Sequence, residues 1–510
     1  MNYYLGLDNG GTNTKAALFS SDGTQIAVES IATAAITPAP GFVERDMEEM
    51  WQDNCAVIRR LLERSRIDAR DIAGIGLCGH GKGLYLWGKD GRPVRRGILS
   101  ADNRAWRYPM DWKADGTEEA AFKLSCQHIL ACQPVSLLAW LRDNEPGVLE
   151  QTQWVFECKD YVRFRLTNEA RAEITDYSGT GLMNLHTCSF DPELLRLFGL
   201  EAIGNALPPL CQSLDICGTI TAEAARETGL MEGTPVVGGM FDIDACALAV
   251  NVTDEEHICM IAGTWSINEY LRKEPVTDGS VLMNSLFCLP GYYLIEESSP
   301  TSAGNNEWFI RQLLPELKAE SEAEETSIYD IMNQWADSFA PEDFVPVFLP
   351  FLTASNVDPR ARSAFLGLNA SHTRKHMLRS VYEGITFSHS YHLDKLLATR
   401  PNRQGRIRLA GGAARSAVWT QMFADVMNMP VETVSAAETG ALGCAIAVAT
   451  ALGHYDSPAD AAAHMCAVSS AVYPRPEAVA TYEKKYALYL RAIACLNDFW
   501  PAMQDLIERK

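Results

Sequence analysis

The sequence predicts an α/β protein built from two domains. Short apolar runs typical of strands alternate with segments of helical periodicity along the chain. With 510 residues the chain is too long for one ordinary hydrophobic core, which favours two domains of similar size, residues 1–250 and 251–510. The second half also opens as the first does, with a strand that feeds a Gly/Thr turn, and this similarity hints at an internal duplication.

The N-terminal segment has the pattern of a β-hairpin with a polar tip. We expect one strand over 3–8 and a second strand from Lys15 onward. The turn between them contains Asn9, Gly10, Gly11, Thr12, Asn13 and Thr14. A helix over 46–65 follows, and Asp46 is its predicted cap.

The rest of the first half alternates strands and helices. A buried strand over 72–77 ends in a polar turn that contains His80 and Lys82, and another strand follows over 84–87. A helix is expected over 133–144. A strand over 234–239 then leads through Asp242 and Asp244 into an alanine-rich helix.

The second half repeats this alternation. A strand over 258–262 ends in Gly263 and Thr264, and a strand over 407–410 ends in Gly411 and Gly412. Residues 315–343 are acidic and amphipathic and predict a helical insertion with a solvated face. Further helices are expected over 372–396, 419–427 and 441–452, and a last helix carries a core-facing stripe from Tyr482 to Trp500.

Composition excludes several classes of function. The formal net charge of -21 argues against nucleic acid and against anionic membrane surfaces as main partners, because both attract basic surfaces. The 14 cysteines include no C-x-x-C pair, which favours buried thiols in a reducing compartment over disulfides or a zinc site. No basic region precedes an apolar run at the N-terminus, so we expect no signal peptide and a cytoplasmic protein.

The first turn is a candidate anion site. Its glycines allow close approach of a ligand, successive amides can form an anion-binding nest, and the lysine and threonines add donors. Asp8, at the end of the preceding strand, could organise the water shell of Mg²⁺. A plain hairpin turn explains the same residues equally well. The segment is not a P-loop, because no G-x-x-x-x-G-K-[ST] occurs in the sequence.

Taken together, these segments resemble the FGGY family of carbohydrate kinases over nearly the whole chain. The resemblance is carried by 7–18, by Gly239 with Asp242, by Gly263-Thr264 and by 411–416. The stretch 363–384 resembles the family's C-terminal signature, and 418–425 and 438–443 resemble its adenosine-side helices. Within the family, 44–47, 81–84 and 299–302 look most like the L-xylulose kinase branch. One departure is Leu137, which stands where the family usually carries a lysine and cannot donate that hydrogen bond.

The resemblance implies two ribonuclease-H-like, actin-like ATPase domains that flank a central cleft. It also implies ATP and Mg²⁺ as cofactors. In this frame Asp242 is the general base and Asp8 the magnesium-organising carboxylate. Residues around the nucleotide would be Gly10, Gly11, Thr12, Asn13, Thr14, Lys15, Gly263, Thr264, Gly304, Gly411, Gly412 and Ser416. Capping of the following helix is the alternative role for Asp242 or Asp244.

Substrate-side residues follow from the same resemblance. His80, Lys82, Asp102, Arg104 and Asp242 are the expected sugar contacts. A lysine near a sugar favours a carboxylate or carbonyl oxygen, although a solvent-facing lysine explains Lys82 equally well. A structural ion pair likewise explains Asp102 and Arg104.

The sequence therefore predicts an ATP-dependent kinase of a small ketose, with L-xylulose or a related keto-sugar such as 3-keto-L-gulonate as the best candidate. Two alternatives stay open at this point. One is a kinase for another ketose or polyol (D-xylulose, ribulose, erythritol or glycerol). The other is a non-catalytic nucleotide-binding regulator on the same fold. A homodimer is possible, and we expect neither nucleic acid nor membrane as a partner.

Overall fold

The structure is a computed structural model. It describes residues 2–263, 265–353, 355, 357–358, 360–400, 404–436 and 438–508. In the first half the strands are β1 (Tyr3–Asn9), β2 (Asn13–Ser20), β3 (Gln25–Ala32), β4 (Glu44–Arg45), β5 (Ile72–Gly79), β6 (Tyr85–Gly88), β7 (Gly97–Ile98), β8 (Thr152–Phe156), β9 (Ala172–Glu173), β10 (Met183–Asn184), β11 (Ser189–Phe190), β12 (Leu210–Cys211), β13 (Ile216–Thr219), β14 (Pro235–Val237) and β15 (Met240–Phe241). The helices of this half are α1 (Met47–Ser65), α2 (Arg107–Asp115), α3 (Thr117–Ser125), α4 (Pro134–Asn144), α5 (Pro146–Gln151), α6 (Cys158–Thr167), α7 (Ile174–Tyr177), α8 (Pro192–Leu197), α9 (Ala222–Thr228) and α10 (Asp242–Ala249).

The second half continues the alternation of strands and helices. Its strands are β16 (His257–Ala262), β17 (Ser266–Arg272), β18 (Met283–Leu286), β19 (Tyr293–Ser299), β20 (Val347–Leu349), β21 (Ala364–Leu366), β22 (Arg406–Gly411), β23 (Val431–Val434) and β24 (Val468–Val472). Its helices are α11 (Gly304–Leu313), α12 (Pro315–Ala323), α13 (Ile328–Asp337), α14 (Arg374–Thr399), α15 (Ala417–Met427), α16 (Thr439–Ala451), α17 (Pro458–Met465), α18 (Pro476–Leu496) and α19 (Phe499–Glu508). The predicted α/β class is confirmed.

The chain divides into two compact units. Unit 1 comprises Met1–Thr253, Leu271–Ile295 and Ala436–Ala467, and unit 2 comprises Asp254–Tyr270, Glu296–Ser435 and Val468–Lys510. Unit 1 thus includes α16 and α17, which come late in the sequence. The division into domains of residues 1–250 and 251–510 stays a prediction.

The sheet of unit 1 is built around the predicted N-terminal hairpin. Its strand order is β13-β14-β5-β1-β2-β3, and β15 also pairs with β5. β1 and β2 are antiparallel, with Asp8 opposite Lys15 and Asn9 opposite Thr14, whereas β1 and β5 are parallel. The hairpin prediction is therefore confirmed.

The two faces of this sheet carry different layers. Leu5 and Leu7 of β1 pack into a hydrophobic core with residues of α1, which begins after the predicted cap Asp46. The alternate residues of β1 face α16 instead, because side chains alternate between faces along a strand. A Cβ on Gly6 would lie 2.2 Å from the carbonyl oxygen of Ala441. α16 therefore rests directly on the backbone of the sheet.

The sheet of unit 2 repeats the same local plan. β16 and β17 form an antiparallel pair, and β16 runs parallel to β22, which is followed by β23 and β24. Each unit thus has an antiparallel hairpin with a parallel strand beside its first strand. This correspondence matches the hint of duplication in the sequence.

The acidic insertion 315–343 is helical, as predicted, and consists of α12 and α13. α12 ends before Glu325, whose φ of 53° is left-handed and stops helical hydrogen bonding. No element was predicted between 145 and 233, where the structure has α6 and α7 among others. In the described part of the chain, no helix is long and apolar enough to cross a membrane.

Candidate active site

Asp242 is the first residue of α10 and follows the short strand β15. Gly239 lets β15 approach β5, because its φ is +79° and a Cβ there would lie 2.2 Å from the carbonyl oxygen of Leu77. The backbone N–H of Phe241 donates a 2.9 Å hydrogen bond to the hydroxyl of Thr175. The main chain that presents Asp242 is thus fixed from two sides.

The carboxyl group of Asp242 is placed where its ionised form is disfavoured. Its pKa is raised well above the ordinary value, first by burial of the carboxyl group and then by the charges of Asp8 and Asp176. Lys82 and a hydrogen bond from the backbone of Ile243 act in the opposite direction. A carboxylate with a raised pKa is a better proton acceptor, which is what a general base requires.

The neighbouring residue Asp244 has a different environment. It is fully buried in α10, and its charge contributes to raising the pKa of the Cys288 thiol. The side chain of Phe241, the residue before the helix, makes no capping hydrogen bond. Asp242 and Asp244 both lie in the first turn of α10, but their side chains have different surroundings.

Asp8 and Lys15 form a cross-strand pair on the face of the sheet that carries α16. Burial raises the pKa of Asp8, while Lys15 and a hydrogen bond from the Cys78 thiol oppose this shift. The ammonium group of Lys15 lies 2.7 Å from Oε2 of Glu438, the residue before α16. A Cβ on Gly440 would lie 2.9 Å from Oδ2 of Asp8. The first turn of α16 therefore closes one side of this carboxylate.

Thr14 lies on the opposite face of the sheet. Its side chain is completely buried, and its hydroxyl accepts a 3.0 Å hydrogen bond from Arg45. The reason is the two-residue period of β2, which turns Thr14 away from the face that Lys15 occupies. The structure therefore does not bring these two predicted nucleotide residues together.

The tip of the hairpin is open to solvent. Gly11 and Thr12 are exposed, and Gly10 and Asn13 are half-buried. The Asn13 amide donates a 3.2 Å hydrogen bond to the Thr12 hydroxyl. These residues are accessible to a ligand, and their contact with nucleotide stays a prediction.

His80 and Lys82 are both buried at the end of β5. Burial lowers the pKa of His80 to about 4, so the ring is neutral at physiological pH, and its Nε2 lies 2.8 Å from the hydroxyl of Tyr85. Lys82 has a left-handed backbone conformation with φ of 62°. Its ammonium group lies 5.5 Å from the centroid of the Phe241 ring, next to Asp242. The solvent-facing alternative for Lys82 is therefore wrong.

Asp102 and Arg104 form a buried ion pair. Nη2 of Arg104 lies 2.8 Å from Oδ2 of Asp102 and 2.8 Å from Oε1 of Glu44. Oδ2 of Asp102 also accepts a 2.6 Å hydrogen bond from the backbone N–H of Val43. The guanidinium carbon lies 4.2 Å from the centroid of the Phe42 ring. This is the structural ion pair that the sequence left open, and a sugar contact by these residues stays a prediction.

A network of buried charged residues includes Asp176, whose charge acts on Asp242. Nζ of Lys159 lies 2.6 Å from Asp176, 3.1 Å from Asp160 and 3.1 Å from Glu173, and none of these side chains is exposed. Burial acts to lower the pKa of Lys159, but the three carboxylates outweigh it and hold the pKa well above its ordinary value. Glu173 in turn accepts a 2.7 Å hydrogen bond from the hydroxyl of Thr175, whose oxygen receives the Phe241 N–H. The network thus supports the segment that presents Asp242.

The glycine turns of unit 2 lie together. Ala262 at the end of β16 is paired with Gly411 at the end of the parallel strand β22. A Cβ on Gly411, whose φ is +84°, would lie 3.1 Å from the backbone nitrogen of Gly263. The N–H of Ala303, just before α11 begins at Gly304, donates a 2.8 Å hydrogen bond to the carbonyl oxygen of Gly263. Close backbone approach beside a helix N-terminus is an arrangement that suits phosphate groups.

Ser416 has a structural role in unit 2. It caps α15, accepting a 3.2 Å hydrogen bond from the N–H of Trp419, and it donates a 2.7 Å hydrogen bond to Asn333 of α13. Gly412 begins a short 3-10 turn before it. Thr264 lies outside the described residues. The assignment of Ser416 and Gly412 to the nucleotide stays a prediction.

The position of the missing lysine is apolar. Leu137 of α4 is completely buried in a hydrophobic core with residues such as Val135 and Leu141. Among the described residues, no group of three or more histidine, cysteine, aspartate or glutamate side chains is placed to hold a metal ion.

Sequence reasoning missed Glu157, Lys159 and Asp176. They lie at the start of α6 and within α7, in a stretch where no element had been predicted. A signal was present, because charged residues stand at 157, 159 and 160 directly after the apolar strand β8. Charges adjoining a buried strand need partners, so this stretch could have been singled out.

Comparison with solved structures establishes the fold. The xylulose kinase from Lactobacillus acidophilus, solved with a bound ligand, matches with a TM-score of 0.88 at 24% sequence identity, covering 99% of this chain and 100% of that chain. Similarity at this identity establishes the fold, which is the predicted two-domain, actin-like α/β fold.

The family follows from sequence comparison. The model of the N-terminal domain of the FGGY family of carbohydrate kinases matches residues 3–249, and that of its C-terminal domain matches residues 258–452. The chain is 38% identical over 505 residues to a protein of Escherichia coli (strain K12) named L-xylulose/3-keto-L-gulonate kinase, covering 99% of both chains. It is 35% identical to a probable L-xylulose kinase of Pasteurella multocida (strain Pm70), covering 98% of this chain and 99% of that protein.

The chain belongs to the FGGY family of carbohydrate kinases. It is an ATP-dependent sugar phosphotransferase.

Proposed function

We propose that this kinase phosphorylates L-xylulose or a closely related keto-sugar, 3-keto-L-gulonate among them, and that Asp242 is its general base. The observation that carries the proposal is the carboxyl group of Asp242, held at the start of α10 with a raised pKa and with Lys82 beside it. The names of the relatives support the choice of sugar.

The chemistry assigned to this site is a single phosphoryl transfer. The carboxylate of Asp242 takes the proton of a sugar hydroxyl as that oxygen bonds to the γ-phosphorus of ATP. The bond from the γ-phosphorus to the oxygen that bridges to the β-phosphorus breaks, which gives the sugar phosphate and ADP. Such a base contributes roughly 10²–10⁴-fold in rate, and positioning and charge stabilisation account for the rest.

Asp8 is the residue proposed to hold Mg²⁺. Magnesium in such sites is commonly bound through one or two carboxylates together with substrate phosphates and water. A carboxylate bordered by Lys15 and by the first turn of α16 fits that pattern. When bound, the ion would neutralise charge on the phosphates.

Other sugars and a non-catalytic role are the competing proposals. D-xylulose, ribulose, erythritol and glycerol differ from L-xylulose only in stereochemistry, chain length or the carbonyl group. A regulator that only binds nucleotide has no need for a carboxyl group whose pKa is raised by burial and by two neighbouring acids. This favours a catalytic role.

A substrate screen tests the proposal. ADP release from ATP is measured with pentuloses, hexuloses, polyols and keto-acids in the presence of Mg²⁺, and the product is identified by mass. We expect turnover on one narrow class of keto-sugar. Turnover confined to glycerol or erythritol, or no sugar-dependent ADP release at all, would reject L-xylulose as the substrate.

Lys82 is predicted to act on the sugar and not on the nucleotide. Lys82→Met removes a buried ammonium group beside Phe241 and Asp242 while keeping a side chain of similar length. We expect the KM for the keto-sugar to rise by about 10-fold or more, as for the loss of a hydrogen bond to a charged group, with little change in the KM for ATP. Steady-state kinetics with each substrate varied in turn measures both, and an unchanged sugar KM would remove Lys82 from the site.

Two remaining expectations belong to this proposal. A homodimer is checked by the mass of the purified protein in solution. A cytoplasmic location is checked by fractionation of cells that produce the chain.

A further inference from the structure

Two buried carboxyl groups, one close to Asp242 and both close to Lys82 or its turn, have oxygen atoms without hydrogen-bond partners in the described part of the chain. Among the residues that the structure describes, both carboxylate oxygens of Glu157 lack a partner, as does Oδ1 of Asp176, although the two residues are only 1% and 2% exposed. Burying a polar group without a partner costs roughly 1–3 kcal/mol, and more if it is charged. Nearly all buried polar groups of native proteins have a partner, so each exception calls for an explanation, and a bound molecule is one.

These oxygens are close to the proposed sugar contacts. A Cβ on Gly81 would lie 2.9 Å from Oδ1 of Asp176, so this oxygen borders the turn that carries Lys82. Asp176 is also one of the charges that raise the pKa of Asp242. Its other oxygen, Oδ2, is occupied by Lys159 at 2.6 Å, which fixes the side chain and leaves Oδ1 available.

Glu157 is held in the same neighbourhood by the pairing of two short strands. β6 and β8 are antiparallel, with Tyr85 opposite Phe156, so Glu157 directly follows the end of this pair. Burial raises the pKa of Glu157 well above its ordinary value, the charge of Asp176 adds to the shift, and Lys82 opposes it. Glu157 precedes α6 without making a capping hydrogen bond to it. Among the described residues, no hydrogen bond therefore links this side chain to the rest of the fold.

We propose that the carboxyl groups of Glu157 and Asp176 bind hydroxyl groups of the sugar and so determine which keto-sugar is accepted. The inference rests on the proposed function of Asp242 and Lys82. Carboxyl oxygens suit this role, because each can accept hydrogen bonds from neighbouring hydroxyls of a polyhydroxylated chain. The sugar would replace the missing partners of these oxygens when it binds.

The test compares Glu157→Gln and Asp176→Asn with Glu150→Gln, which changes an exposed glutamate shortly before β8. The probe is L-xylulose, and the readouts are kcat and KM for sugar and for ATP. We expect kcat/KM for L-xylulose to fall about 10–100-fold in each site variant, as for the loss of a hydrogen bond to a charged group, with the KM for ATP within twofold of wild type. Glu150→Gln is expected to behave as wild type.

Monodeoxy analogues of L-xylulose sharpen the test. The analogue that lacks the hydroxyl bound by Glu157 should be a poor substrate for the wild type, but should lose little more in Glu157→Gln. Likewise, the analogue that lacks the hydroxyl bound by Asp176 should be a poor substrate for the wild type and should lose little more in Asp176→Asn. Strictly additive losses with every analogue would overturn the proposal, because independent effects do not report a shared contact.

Thermal unfolding distinguishes recognition from support of the fold. Glu157→Gln, and Glu157→Leu as a second variant, remove an unpartnered buried carboxyl group and should leave the Tm unchanged or higher at neutral pH. A lower Tm together with an unchanged sugar KM would assign Glu157 to the fold and overturn the proposal. If the wild type neither binds nor phosphorylates any keto-sugar, the proposed function itself fails and takes this inference with it. If the wild type is active and the variants match it, only the inference fails.

Discussion

Replacing Asp242 with asparagine is expected to lower kcat about 10²–10⁴-fold, the usual contribution of a general base. The amide keeps the shape of the side chain but cannot take the hydroxyl proton. Since the carboxyl group is desolvated and faces Asp8 and Asp176, its removal should not lower the thermal stability. The ATP dissociation constant should stay within about twofold of wild type, because the side chain is assigned to the reacting hydroxyl and not to nucleotide binding. ADP release, ATP binding and thermal unfolding are measured on the same preparation.

The matched control is Asp244→Asn, two residues further along α10. Asp244 is fully buried, so its substitution should act on stability more than on kcat. Parallel losses of activity and stability in both variants would show that the two acids merely support the start of the helix. An Asp242→Asn enzyme with the rate of the wild type would falsify the assignment of the base.

The second large effect is expected from Lys159→Met, which removes the cation at the centre of the buried network. Asp160, Glu173 and Asp176 would then be left with less compensation in a region closed to water. Breaking a buried ion pair from one side typically costs about 3–5 kcal/mol, and we expect the free energy of unfolding to fall by about that amount. Chemical denaturation followed by circular dichroism measures it, and kcat should fall as well because Glu173 and Thr175 hold the N–H of Phe241.

The loss in Lys159→Met should depend on pH in a definite direction. Burial already raises the pKa of Asp176 to about 7 and Lys159 opposes this shift, so removal of the lysine raises the pKa of Asp176 further. An acid with a raised folded pKa binds more protons in the folded state, so its contribution to stability is lost as the pH increases. The Tm deficit of the variant should therefore be larger at pH 8 than at pH 5.5. Lys113→Met, on the exposed side of α2, serves as the control and should show no such trend.

Much of the fold could be predicted from the sequence because local signals agreed with tertiary structure. The hairpin around Asn9, the cap at Asp46 and the helix predicted over 133–144, which the structure begins at Pro134, all depend on short-range chemistry. The late helix α16 was also predicted, but its membership of unit 1 was not. Nothing in a run of small apolar residues says which sheet they will cover.

The candidate site was predicted in part for a similar reason. Asp8 lies near the end of β1, Lys82 lies in the turn after β5 and Asp242 directly follows β15, and strand ends are where polar turns and ligands are expected. Thr14 was grouped with Lys15 because the two are adjacent in sequence, whereas adjacent residues of a strand face opposite ways. Glu157 and Asp176 depend on contacts between distant segments, which composition and spacing do not reveal.

Close packing at Gly6, Gly76 and Gly443 has a consequence for the relative positions of Asp8 and Asp242. A Cβ on Gly6 would meet the backbone of Ala441, one on Gly76 the backbone of Cys444, and one on Gly443 the backbone of Ala245 in α10. Main chain therefore rests on main chain from β1 through α16 to α10, with no side chains between them to change rotamer. Asp8 of β1 and Asp242 of α10 thus belong to elements that are packed rigidly together. We expect the distance between their carboxylates to stay constant during turnover.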